Sequence, residues 1–258
     1  MKKLLVLVSV LAMISCQQGG QGVSKESLKK ILSENPDILV EVIKKNPAEV
    51  MDAIRSAARD AEEASKKKEL EKTYDKPLTA SFRSDELFRG NKDAPITLVE
   101  YSDFFCYFCT KGYETVMGLL KKYDGKIRFV YKHMPVIGGA LAVTAASYYE
   151  ALRLQDPKKA IEFHDELYKN QAKLKQGKEK YMKEVVAKLK VDVAKVEADA
   201  KSSKVKARIE ADKAEGTKFG FTGTPGFLLN GVPVKGAYPQ SHFEGIIEEL
   251  KKRGKLKI

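Results

Sequence analysis

A strand pattern from Ile96 to Tyr101 leads directly into Cys106-Tyr107-Phe108-Cys109, and a helical pattern from Tyr107 to Tyr123 starts inside that motif. A second strand pattern, Ile127 to His133, completes a βαβ unit whose helix begins at the two cysteines. A cysteine there faces unpaired backbone N–H groups and the positive end of the helix dipole. Its thiolate is stabilised, so its pKa falls below the free value of ~8.5 and it becomes nucleophilic near neutral pH. Cys106 holds that position. Cys109, nearly one turn on, lies on the same face and within reach of a small disulfide ring. Such a pair can alternate between dithiol and disulfide by exchange with another protein. Neither Tyr107 nor Phe108 is cationic, so the thiolate stabilisation is expected mainly from the helix.

Three other uses of the pair compete with redox exchange. Structural zinc usually takes four ligands, and His133, His164 and His242 are scattered over different elements with no second Cys-x-x-Cys. A purely structural disulfide would close so small a loop that its entropic benefit is at the low end. Transient copper(I) binding by two thiolates is chemically reasonable, and a copper(I)-binding or partner-docking role without turnover stands as the alternative function.

The amino-terminal segment fixes the redox compartment. Lys2 and Lys3 precede the uncharged, mostly apolar run Leu4 to Ile14, the pattern of an export signal and too short to span a bilayer with ease. Met13-Ile-Ser-Cys16 looks like a bacterial lipoprotein processing site, with residues 1–15 as signal peptide and Cys16 as the lipidated terminus; a plain cleaved signal is the alternative. Lipidation of Cys16 accounts for the odd cysteine among three and leaves Cys106 and Cys109 as a private pair in an oxidising compartment. The expected location is the bacterial cell envelope, as a periplasm-facing lipoprotein held to the outer membrane by its lipid anchor. Residues 16–23, rich in Gln and Gly, read as a flexible tether. The longest uncharged stretch elsewhere, Met134 to Tyr149, reads as a buried helix with its approach loop, so no second membrane segment is expected.

Charge excludes one class of partner. With Lys2 and Lys3 removed, 45 Lys and Arg stand against 35 Asp and Glu, but the lysines alternate with Glu at helical spacing, as at Lys66 to Lys72. That is the pattern of solvated helix faces. A nucleic-acid site would gather the positive charge on one surface with aromatics interleaved, so no nucleic acid is expected.

Residues 24–76 read as a helical module. Asn35-Pro36-Asp37 and Asn46-Pro47-Ala48-Glu49 each predict a helix start, with Asn as cap and Pro in the first turn. The apolar stripes through Leu28, Ile38 and Val50 cannot close a core alone, so the module either docks as a spacer or associates with copies of itself. Pro77 marks the expected boundary of the main domain, residues 77–258. There, a helical block at about 136–220 is expected to break at Asp156-Pro157, near Gly177 and near Lys190 to Asp192. Phe227 to Leu229 and Val232 to Val234, joined by Asn230-Gly231, read as a hairpin, and Ser241 with Glu244 as a capping box for a last helix.

Strand, Cys-x-x-Cys, helix, helical block, then Gly223-Thr224-Pro225 before a hairpin and a final helix: this order, over residues 82–252, resembles the DsbA-like branch of the thioredoxin fold. The resemblance implies an α/β fold with an inserted helical domain, and a protein disulfide oxidoreductase, oxidase or isomerase, that needs no cofactor or metal. It implies that Cys106 exchanges with clients and Cys109 resolves. Thr224 and Pro225 would then form a cis-proline element that positions the substrate chain, and Glu100 would match a buried acid that trades a proton with Cys109. Its partners would be exported cysteine-containing clients and a membrane redox partner that recharges the pair. Where many relatives have Pro or His inside the motif, this chain has Tyr107 and Phe108, which read as an apolar docking patch for clients, or with Phe108 packed inward. His133, at the end of its strand, reads as structural. "LKKILSENPDILVEVIKKNP" is also similar to the amino-terminal segment of the suppressor-of-copper-sensitivity C proteins, which implies homo-oligomerisation through residues 24–75.

Overall fold

A computed structural model describes residues 24–258, so the expected signal segment, the expected tether and Cys16 lie outside the described residues. Contacts divide the chain into two compact units that meet between Glu63 and Ala64. The first contains α1 (Lys25–Glu34), α2 (Pro36–Lys45) and the start of α3 (Pro47–Asp75). Pro36 and Pro47 open their helices as expected, because a first-turn residue needs no N–H partner. The asparagines before them behave differently. The amide of Asn35 donates to Ile31 O at 2.9 Å and that of Asn46 to Val42 O at 3.3 Å, so each closes the helix behind it. Their backbones, at ψ 70° and 53°, fall short of the extended conformation that turns a capping side chain toward the next helix. Leu28, Ile38, Leu39, Val42, Ile43 and Ile54 are all exposed.

The second unit starts earlier than Pro77 suggested. The last turns of α3 belong to it: Leu70 and Tyr74 pack on its core, Arg253 stacks 4.4 Å from the Tyr74 ring centroid, and the same guanidinium pairs with Glu71 at 2.7 Å. A five-stranded sheet follows, with β1 (Phe88–Gly90), β2 (Ile96–Ser102), β3 (Ile127–His133), β4 (Gly226–Leu229) and β5 (Val232–Lys235) in the spatial order β1-β3-β2-β4-β5. β2 and β3 are parallel, joined by α4 (Tyr107–Lys122), and the other pairings are antiparallel. Strand β1 went unread because three residues carry no periodicity. Asn230 and Gly231 both have positive φ, 47° and 84°, the geometry that gives Asn-Gly hairpins their matching twist.

Alternation along the strands builds two layers. Ile96 and Leu98 of β2, with Phe129, Phe227 and Leu229, face Val116 and Leu119 of α4 and Ile247 and Leu250 of the final helix. Val99 and Tyr101 point to the opposite face, with Val130, Leu228 and Phe221. The insertion comprises α5 (Gly139–Gln155), α6 (Pro157–Lys169), α7 (Gln171–Lys188), α8 (Val193–Ala200) and α9 (Ser203–Lys218). The break at Pro157 is present. Near Gly177 the chain kinks at Lys178, φ 51°, without leaving α7, and further breaks fall at Asn170 and at Lys201 and Ser202. The last helix, α10 (Gln240–Lys252), starts before Ser241, with Pro239 at its cap position, and no side chain caps it. Glu244 instead accepts from Gln240 at 2.8 Å and pairs with Lys122 at 2.8 Å. Because the helix already begins at Gln240, Ser241 lies inside its first turn rather than at the cap, so the box there does not form.

A buried ion network ties the segment ahead of β1 to the insertion. Arg208 of α9 reaches Asp85 at 2.8 Å and Glu86 at 2.7 Å, Arg153 of α5 reaches Glu150 at 2.6 Å, and His133 closes on Glu150 at 3.1 Å. His133 thus serves a structural contact at the end of β3. Among the described residues no helix is long and apolar enough to cross a membrane.

Candidate active site

The register of the sheet assembles the site. Antiparallel pairing of Glu100 with Phe227 and Tyr101 with Gly226 brings Thr224 and Pro225, just ahead of β4, beside the residues that follow β2. The Thr224-Pro225 peptide bond is cis. Cys106 occupies the cap position of α4 with an extended backbone, φ −76° and ψ 123°, and its thiol donates to Thr224 O at 3.3 Å. Cys109 is fully buried one turn later; both cysteines are free thiols.

The two sulfurs are electrostatically opposite. Cys106 is lowered from 9.0 to about 6, first by a hydrogen bond from the Cys109 thiol. Burial works against it, and Thr224 and the backbone N–H groups of Cys109 and Phe108 add to the lowering. The neighbouring thiol therefore contributes more than the helix start to which the stabilisation was ascribed from sequence. Cys109 is pushed far up, by burial first, then by its bond to Cys106 and the Glu100 charge. At neutral pH one sulfur is mainly ionised while its neighbour keeps its proton, the arrangement of an attacking and a resolving thiol.

Glu100 lies on the sheet face under α4, 1% exposed, so it is a buried acid and not a surface strand residue. Burial is the main reason that its pKa rises to about 8, with the Cys106 charge adding and a bond from Ser102 opposing. A Cβ on Gly112 would stand 3.3 Å from Glu100 Oε1 and 3.4 Å from Pro225, so the absence of a side chain there lets α4 lie directly over both. Tyr107 and Phe108 point outward, 58% and 60% exposed, with ring centroids 5.5 Å apart; Phe108 does not pack inward. Val136 and Ile137 are also exposed. Cys106, Cys109, Thr224, Pro225 and Glu100 thus converge at the start of α4, while Cys16 lies outside the described residues.

Sequence reasoning missed two residues that hold this site. Asp103 accepts from Phe105 N at 2.8 Å with one oxygen and from Ile137 N and Gly138 N at 2.7 and 3.2 Å with the other, tying the loop before Cys106 to the loop after β3. The first bond is an Asx turn, a local signal that Ser-Asp-Phe could have given. Gln171, the first residue of α7, donates to Phe104 O at 3.0 Å and Cys106 O at 2.8 Å, and nothing in its local sequence marks it.

Comparison with known proteins agrees with this geometry. A family model described as thioredoxin matches residues 83–249. A probable disulfide bond formation protein D of Bacillus cereus is 32% identical over 173 residues, covering 63% of this chain and 78% of the relative. Among solved structures, a thioredoxin-like oxidoreductase from Silicibacter pomeroyi is 26% identical, with a TM-score of 0.57 over 66% of this chain and 94% of that one. A linker-deleted ScsC variant from Proteus mirabilis has the same TM-score at 17% identity, over 91% of this chain and 99% of that one, a likeness of fold. The chain therefore belongs to the thioredoxin family, with the DsbA-like arrangement in which a helical domain is inserted between the two halves of the sheet.

Proposed function

We propose that this is a cell-envelope thiol-disulfide oxidoreductase that makes, breaks or isomerises disulfides in exported proteins through Cys106 and Cys109. The observation that carries the reading is the contrast between the sulfurs: Cys106, beside Thr224, has its pKa lowered to about 6, while the buried Cys109 is pushed far up. When the pair oxidises a client, a client thiolate attacks Cys106 Sγ, and the Cys106–Cys109 bond breaks. Cys109 takes the electron pair and a proton. A second client thiolate then attacks the client sulfur of the mixed disulfide, and Cys106 leaves as the stabilised thiolate. Run backward, the same steps reduce a client disulfide, and alternation of the two isomerises it.

In this reading Thr224 and Pro225 position the client chain, Tyr107 and Phe108 give it an apolar landing, and Glu100 exchanges a proton with Cys109. Cys16 carries the lipid that holds the protein to the outer membrane, and a membrane redox partner resets the pair. Residues 24–75 associate with other copies, because the apolar side chains of α1 and α2 are uncovered in the single chain. Several Cys106 sites around one client would favour isomerisation through effective concentration.

Insulin-disulfide reduction and refolding of scrambled ribonuclease test this reading, using the mature chain, Cys106→Ser, and a chain beginning at Ala64 that keeps the last turns of α3. Loss of both activities in Cys106→Ser is expected, with rescue of ribonuclease confined to the longer, multimeric form. Equal rescue by two monomers would sink the association, and full activity of Cys106→Ser would sink the enzyme. A copper(I)-sequestering role requires both thiols ionised together, which the burial of Cys109 opposes. Tight copper retention that depends on either thiol, with no turnover, would favour it instead.

A further inference from the structure

The oxidoreductase reading leaves one step without a route. Cys109 must lose its proton inside the protein before it can attack, and Glu100, its natural acceptor, is on another element. Ser102, the last residue of β2, shares the sheet face of Glu100 because side chains two apart on a strand point the same way. It is 1% exposed. Its hydroxyl donates to Glu100 Oε1 at 2.7 Å, lies 2.9 Å from the Tyr168 hydroxyl, and is the side chain that favours the Cys109 thiolate, lowering a pKa that burial raises. A serine hydroxyl has one proton and two acceptor sites. With its proton on Glu100, the Ser102 oxygen can accept from Tyr168 O–H, and turned the other way the same proton supports a Cys109 thiolate.

We infer that Ser102 is the proton relay between Cys109 and Glu100, an inference that rests on the proposed exchange chemistry. In the mixed disulfide, the Cys109 thiol gives its proton to Ser102 Oγ as the Ser102 hydroxyl gives its own to Glu100 Oε1. The Cys109 thiolate attacks Cys106 Sγ; the new Cys106–Cys109 bond forms, the bond to the client sulfur breaks, and the client leaves with the electron pair. Run backward, Glu100 returns the proton through the same hydroxyl.

The surroundings leave the proton one destination. Tyr168 hydrogen-bonds Tyr131 at 3.2 Å, and burial holds both phenols well above 10, so neither ionises to serve as a base. His164, beside both rings on α6, is held neutral by burial, and Tyr113 of α4 is raised to about 12. Pro225 and Phe227, on the β4 side, carry no ionisable group. Asp103 and Cys106 are the other acidic groups whose charges reach this pocket. The Cys106 charge also times the step: it helps to keep Glu100 protonated in the free dithiol, and it vanishes in the mixed disulfide, when a base is needed.

The test loads Cys106 of the full mature chain with glutathione and follows its release by ring closure from pH 5 to 9 in wild type, Ser102→Ala, Ser102→Thr and Tyr168→Phe. Removal of a general acid-base group costs 10²–10⁴-fold, so closure in Ser102→Ala should slow by about 100-fold at pH 6–7 and recover as pH rises, while Ser102→Thr closes at nearly the wild-type rate. Alkylation of Cys106 should keep its pH profile in every variant, as a merely structural defect would not. Equal closure rates and pH profiles in wild type and Ser102→Ala, with Cys106 still exchanging, would overturn the relay and leave the oxidoreductase reading intact. If wild-type Cys106 accepts no glutathione, the oxidoreductase reading fails, and titration of the Glu100 carboxyl by carbon NMR decides the link itself. Loss of a bond to the charged carboxylate should raise its midpoint in Ser102→Ala; an unmoved midpoint overturns the link.

Discussion

Lowering the pH of the reduced protein from 9 to 5 perturbs the Cys106 thiolate on which the exchange chemistry depends. Its folded pKa of about 6 lies below the ordinary 9.0. A group with a depressed folded pKa contributes stability that is complete above the unfolded value and lost as pH falls through the folded one. At about 1.36 kcal/mol per pKa unit, the ceiling is ~4 kcal/mol at pH 9, about 1.4 kcal/mol remains at pH 7, and nothing is left well below pH 6. Solvent at the mouth of the site screens part of this, so ~2 kcal/mol is the expected span. Denaturant unfolding of wild type and Cys106→Ser in excess reductant, at each pH, measures the difference and largely cancels the titration of other groups. Glu100 is the partial exception, because the Cys106 charge raises it. The series stops at pH 9, above which Cys109, raised by burial, begins to penalise the fold. Thiolate absorbance should give the same midpoint independently. A stability difference that stays flat from pH 5 to 9, or that grows as pH falls, would refute the assignment of the charge to Cys106.

The remaining expectations concern support and docking. Gln171→Leu leaves the carbonyls of Phe104 and Cys106 each without that buried partner, which should cost about 1–3 kcal/mol in denaturant unfolding; unchanged stability would mean that those carbonyls find water. Tyr107→Ser with Phe108→Ser, both exposed, should shift stability by no more than ~0.5 kcal/mol. The same double variant should slow exchange with an unfolded protein but not with glutathione, and equal slowing of both would argue against a docking role. Arg208→Met removes one cationic partner from each of Asp85, Glu86 and Glu150, which keep Arg153 and Arg83, so the loss should fall below the ~3–5 kcal/mol of a fully broken buried pair; a loss below 1 kcal/mol in unfolding would show the network to be solvated.

The parts of the site legible in the sequence are those governed by local rules. Cys-x-x-Cys after a strand announces a reactive sulfur at a helix start, and Asn230-Gly231 announces its turn. A buried acid is harder to read, since a Glu in a strand is equally at home on a solvated edge. The resemblance suggested Glu100, and burial beneath α4 gives it its raised pKa. Capping went wrong at Asn35, Asn46 and Ser241 for one reason: capping depends on backbone angles and neighbouring prolines as well as on residue type. The boundary at Pro77 misled because composition marks where a helix ends, whereas contacts decide which body its last turns join.

By itself the sequence determined the chemistry available: two thiols one helical turn apart, aromatic side chains between them, and a helix start to favour one charge. Only the tertiary structure decided which groups meet them. Antiparallel pairing of β4 with β2 sets Thr224 against Cys106 across 118 positions of chain, and packing of α6 and α7 sets Tyr168 on Ser102 and Gln171 on the Cys106 carbonyl. Contacts at such separations follow from register and close packing, which local periodicity does not encode. The desolvation that separates the pKa values of Cys106, Cys109 and Glu100 likewise exists only once the layers have closed over them.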